Sequence, residues 1–92
     1  MKGQQVTLSE MAEAADERAR WLSGSADRAR DEAQKAAERA DKQAHAQHLA
    51  WAAQDDRKAL VFERMASLLR IMGTFEDRAR TFVAGLIKEH QS

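Results

Sequence analysis

Asp41, His45 and His48 stand four and three residues apart, a spacing that lays a carboxylate and two imidazoles along one flank of a helix. Such a flank can hold zinc or another divalent cation when a second chain adds a ligand. No carboxylate-x-x-His pair accompanies it, so these histidines are read as solvated or packing groups and no metal is expected. Adjacent carboxylates occur at Asp31-Glu32, Asp55-Asp56 and Glu76-Asp77. Sequence neighbours point to different faces of a helix, which defeats paired acid–base work. Thr7, Ser9, Ser23, Ser25 and Thr74 suit helix caps and turns better than nucleophilic roles. There is no cysteine and no glycine-rich phosphate loop. No enzyme and no cofactor are expected.

The charges suggest a different chemistry. In a helix spanning 25–72, Arg28, Lys35, Arg39, Lys42, Arg57 and Arg64 gather on one back stripe, and Arg28, Lys35 and Lys42 recur about every 10 Å. A basic ridge of this kind can follow a phosphate backbone, which gives an alternative reading as a nucleic-acid-contacting subunit of a nucleoprotein complex. Asp27, Asp31, Glu38, Asp56 and Glu63 run beside it, however, and Asp31–Lys35 and Glu38–Lys42 are ordinary helix-face pairs. Fifteen basic residues balance fifteen acidic ones, so the chain lacks the overall positive field of an autonomous nucleic-acid binder. A solvated face is the preferred reading.

The elements that position these residues are helical. From Ser25 to Met72 the chain runs 48 residues without glycine or proline, rich in Ala, Glu, Arg, Lys and Gln. One helix over 26–72 would span roughly 70 Å. Advanced at 100° per residue, Ala26, Ala33, Ala40, Trp51, Phe62 and Leu69 fall within about 40° of one line. That phase favours continuity, with a kink at Gln54-Asp55-Asp56 as the alternative. Before it, Thr7 and Glu10 form a capping-box pattern that opens a helix over 8–22, stopped by Ser23-Gly24. After it, Gly73 reads as a helix stop and Thr74 with Asp77 as the start of a helix over 75–90. The expected fold is all-α: a long central helix with two shorter antiparallel flanking helices, in one domain over 7–92 behind a disordered tail at 1–6.

Two hairpins in that arrangement would lay 8–22 beside 26–40 and 75–90 beside 57–71, leaving 41–56 uncovered by its own chain. His48, Leu49 and Trp51 lie there, and Trp21 stands off the apolar stripe of the first helix. All four are read as partner-binding residues. The alternative is a bend near 55 that closes a bundle and buries Trp51. Leu60, Val61, Leu68, Ile71 and Met72 make the stretch 60–72 apolar on more than one face, so self-association as a homodimer is expected there. No window approaches a membrane span and no signal segment opens the chain, so a cytoplasmic protein off the membrane is the default expectation. Trp21-Leu22-Ser23-Gly24 places two residues between Trp and Gly where WXG-type helical hairpins have one, and no family is assigned.

Together these readings predict a helical protein-interaction module, such as a small adaptor, chaperone or inhibitor that masks a partner surface. A structural coiled-coil spacer is a further alternative.

Overall fold

The computed structural model describes residues 5–91. The chain folds into two α-helices, α1 (Leu8–Glu38) and α2 (Lys42–Gln91), that pack side by side as an elongated hairpin. The 50 residues of α2 account for the long dimension of the molecule, 79 Å. Of the tail expected at 1–6, residues 1–4 lie outside the described residues.

Thr7 starts α1 as its sequence context predicts. Its backbone is extended, its hydroxyl accepts from the Glu10 N–H at 3.0 Å, and the Glu10 carboxylate turns back toward Thr7, completing the capping box. The helix then runs straight through Ser23-Gly24. Gly24 keeps helical backbone angles, and its cost of about 1 kcal/mol is met by the burial of Leu22 and Ala26 on either side.

The chain reverses instead at Arg39-Ala40-Asp41, inside the stretch whose composition reads as one helix. Ala40 adopts the left-handed conformation, φ 58°. Its N–H donates to the Ala37 carbonyl and the Asp41 N–H to the Ala36 carbonyl, the two bonds of a Schellman ending. Asp41 then caps α2 by accepting the Ala44 N–H on Oδ1 at 3.1 Å. The reversal wins over a single rod because it lets the alanine faces on either side of it bury each other.

The expected three-helix arrangement is therefore replaced by two helices. α2 is unbroken across Gln54-Asp55-Asp56 and across Gly73, so the stretch 75–90 does not fold back on 57–71. Gly73 is where α2 passes the first turn of α1: a Cβ built on it would sit 3.8 Å from the Leu8 Cβ. It continues the series Ala52, Ala59, Ala66 at intervals of seven, and Ala12, Ala19, Ala26, Ala33 repeat likewise on α1. Small residues at heptad spacing let the two backbones approach closely and hold their seam in register.

The core follows from that spacing. Among the described residues the buried positions are nine alanines and Leu22. Phe62 and Leu69 close its edge, packing on Ala12, Ala15 and Ala66, with Phe62 also reaching Ala19, Leu22 and Ala59. Two ion pairs cross between the helices, Arg30–Asp56 at 2.8 Å and Arg70–Asp16 at 2.5 Å.

Candidate interaction surface

The expectation that 41–56 is uncovered by its own chain is overturned. α1 covers the inner face of this stretch: Ala52 is buried, Asp56 meets Arg30, and His45 Nδ1 donates to the Ala33 carbonyl at 2.9 Å. With α1 beginning at Leu8 beside Gly73, the last 18 residues of α2, 74–91, extend past α1 and are all exposed. Among the described residues only Gln5–Ser9 come near them, beside Glu76, Asp77 and Arg80.

Trp51 and Leu49 are nevertheless exposed, on the two flanks of the buried Ala52 line. His48, half-buried, meets the Trp51 ring edge to face, with centroids 5.1 Å apart and planes at 80°. His48 and Trp51 thus form a small aromatic pair that leaves the Trp51 ring exposed, while Leu49, two residues before Trp51, lies on the opposite flank of α2. The bundle alternative, in which Trp51 becomes core, is not the arrangement seen. Trp21 is exposed on α1, with the Arg18 guanidinium stacked 4.6 Å from its ring. Its neighbours Ala19 and Leu22 pack at Ala59, about 12 Å along the axis from Trp51. The two tryptophans thus belong to separate surfaces.

Leu60, Val61, Leu68, Ile71 and Met72 all lie exposed on α2. Three of them, Val61, Leu68 and Met72, belong to a longer outward series that passes between Leu60 and Ile71. Val61, Met65, Leu68 and Met72 follow at spacings of four, three and four, and Phe75, Phe82 and Leu86 continue the same face past the end of α1. Phe75 and Phe82 are 73% and 68% exposed. A shallow apolar cleft on this overhang is lined by Ala79, Val83, Ala84 and Ile87, with the ion-paired Glu76 and Arg80 at its rim. Reading Gly73 as a helix end turns Phe75, Phe82, Val83, Leu86 and Ile87 into the inner face of a separate helix, and projection at 100° per residue puts Met65 on the inner stripe. The alternating four-three spacing carried straight through Gly73 is the signal that finds them.

The basic ridge does not survive as one stripe. Arg28, Lys35 and Arg39 belong to α1 and its C-terminal cap, whereas Lys42, Arg57 and Arg64 belong to α2, which runs the other way. Lys35 pairs with Glu32 at 3.3 Å. The strongest charge cluster lies elsewhere, at Arg30. Asp27 first and then Asp56 bond its guanidinium and hold its pKa above the ordinary value. Of the Asp41, His45 and His48 flank, Asp41 caps α2, His45 is bonded to α1, and His48 turns to Trp51. Among the described residues no three His, Cys, Asp or Glu side chains gather as a metal site. Nor, among them, is any helix long and apolar enough to cross a membrane.

Comparison with protein-family models, with curated proteins and with solved structures gives no match.

Proposed function

We propose that this chain is a non-enzymatic, self-associating helical interaction module, an adaptor, chaperone or inhibitor that works by covering an apolar surface of another protein. The observation that carries this reading is the inversion of size between inside and outside. Alanines fill the core, while Trp21, Trp51, Phe75 and Phe82 stand exposed. A monomer gains nothing by presenting such side chains to water, and contiguous exposed apolar surface is where proteins bind one another. The His48–Trp51 pair, with Leu49 exposed on the other flank of the same turn, is assigned to the partner, because it lies on the hairpin proper and its two rings hold each other edge to face.

A photo-reactive phenylalanine analogue at position 51, used in the native host, tests the reading. A discrete cross-linked product containing a second protein is expected from position 51, and none from position 14 on the outer side of α1. The absence of any such product at position 51 would contradict it.

A further inference from the structure

The exposed seam of α2 has a property beyond its apolar character: its spacing is the same read from either end. From Val61 to Leu86 the intervals run four, three, four, three, four, three, four. A second copy turned end for end therefore lays each position on a complementary one. Val61 meets Leu86, Met65 meets Phe82, Leu68 meets Ala79 and Met72 meets Phe75, each pair occurring twice. We infer that two copies of this chain pair antiparallel, α2 against α2, through the seam Val61–Leu86 about a two-fold axis between Gly73 and Thr74. This deepens the interaction-module reading and rests on its claim that the outer face of α2 is used for association.

Charge at the ends of the seam sets the direction. The next position before Val61 at the same spacing is Lys58, and the next after Leu86 is Glu89. These are the first charged residues of the series. In the antiparallel register Lys58 of one copy opposes Glu89 of the other at both ends. A parallel, in-register pair would instead stack Lys58 on Lys58 and Glu89 on Glu89, setting like charges together.

The overhang supplies a second reason. Residues 74–91 extend past α1, and the antiparallel register lays them along 56–73 of the second copy, the stretch that carries the hairpin core on its other side. Val83, flanking the seam, then comes beside Phe62, whose ring closes the edge of that core. Each copy covers what the other leaves open, which is the self-complementarity of a closed two-fold interface. A parallel pair brings the two overhangs together and leaves both outside either hairpin.

The area suffices. Phe75 and Phe82 are mostly exposed, so the four phenylalanine rings of a dimer remove about 400–700 Å² from water by themselves. Val61, Met65, Leu68, Met72 and Leu86 of both copies carry the total past the roughly 1,000 Å² of a specific interface.

The chain contains no cysteine, so introduced thiols report the register directly. Full-length Val61→Cys and Leu86→Cys chains are oxidised separately and as a mixture, with light scattering giving the mass of the parent chain. A dimeric mass with cross-linking only in the mixture is the expected result. Cross-linking of each variant with itself, or a monomeric parent chain at tens of micromolar, would overturn the inference. The double variant Phe75→Asp/Phe82→Asp is expected to weaken the dimer about 30-fold or more while its circular dichroism stays helical; an unchanged dissociation constant would also overturn it. Position 51 lies on the same line of α2 but ten residues before Val61, beyond where α2 of the second copy ends in this register. The photo-cross-link there reads a site outside the dimer seam. Its failure beside an intact antiparallel dimer counts against partner capture alone, and its success beside a monomeric chain counts against the dimer alone.

Discussion

Gly73 faces Leu8 across the mouth of the hairpin, and a methyl group added to it would meet the Leu8 Cβ at 3.8 Å, an ordinary contact. The glycine is thus an interior helical residue with room for a side chain. Gly73→Ala is expected to raise stability by about 0.5–1 kcal/mol, measured by urea unfolding, because alanine loses less backbone freedom on entering a helix. Were Gly73 a left-handed helix end, the same substitution would lower stability instead.

The turn offers the opposite case. Ala40 holds φ 58°, where a Cβ crowds the following carbonyl. Ala40→Gly should stabilise the hairpin by about 1 kcal/mol. Asp41→Ala should cost about 1 kcal/mol by removing the acceptor for the Ala44 N–H. Thermal unfolding of both variants checks the turn. No change in either would place the reversal elsewhere.

Packing predicts an asymmetry between small and large residues. Ala59 is buried where the two backbones come together, so Ala59→Leu is expected to destabilise by about 1–3 kcal/mol through overpacking. Leu22→Ala should cost about 2–5 kcal/mol, since Leu22 is the one large side chain among the buried residues described. Trp51→Ala, despite removing the largest side chain type, should change monomer stability by less than about 0.5 kcal/mol. Denaturant midpoints rank the three, and a large loss at Trp51 would contradict its exposed position.

Arg30–Asp56 and Arg70–Asp16 link the helices at the same register, fourteen residues apart on each strand of the hairpin. Both pairs are solvated, so Asp56→Ala or Asp16→Ala should each cost no more than about 1 kcal/mol, and less as salt is added. Their contribution is alignment more than strength. A loss of several kcal/mol at either position would mean that the alanine core does not hold the hairpin.

Much of this fold can be read from residue types. The helical content follows from composition, and the start of α1 from Thr7 and Glu10. The position of the reversal is harder to read, because Arg39-Ala40-Asp41 contains neither glycine nor proline and only Asp41 marks a new helix start. The glycines that ordinarily mark helix ends sit instead within α1 and α2. Projection at 100° per residue also misplaces the inner face: it groups Trp51 and Met65 with Ala26 and Ala33, whereas the packed face repeats every seven residues and drifts around a straight helix. The outward Leu49, Trp51, Val61, Leu68 and Met72 are visible in the sequence as excess apolar surface. Phe75, Phe82 and Leu86 are not, because their exposure depends on α2 outrunning α1.

The central claim is that residues 74–91, which extend past α1 and stay exposed among the described residues, gain cover from a second copy. Amide hydrogen exchange measured as a function of protein concentration tests this most directly. An overhang of 18 helical residues without a packed neighbour frays in water, while amides beside the alanine core remain protected. Protection of 74–91 is therefore expected to rise steeply with concentration, and that of 45–55, which the antiparallel register leaves outside the seam, far less. Protection of 74–91 that is high and independent of concentration would contradict the account, since it would mean that this stretch is already covered within a single chain.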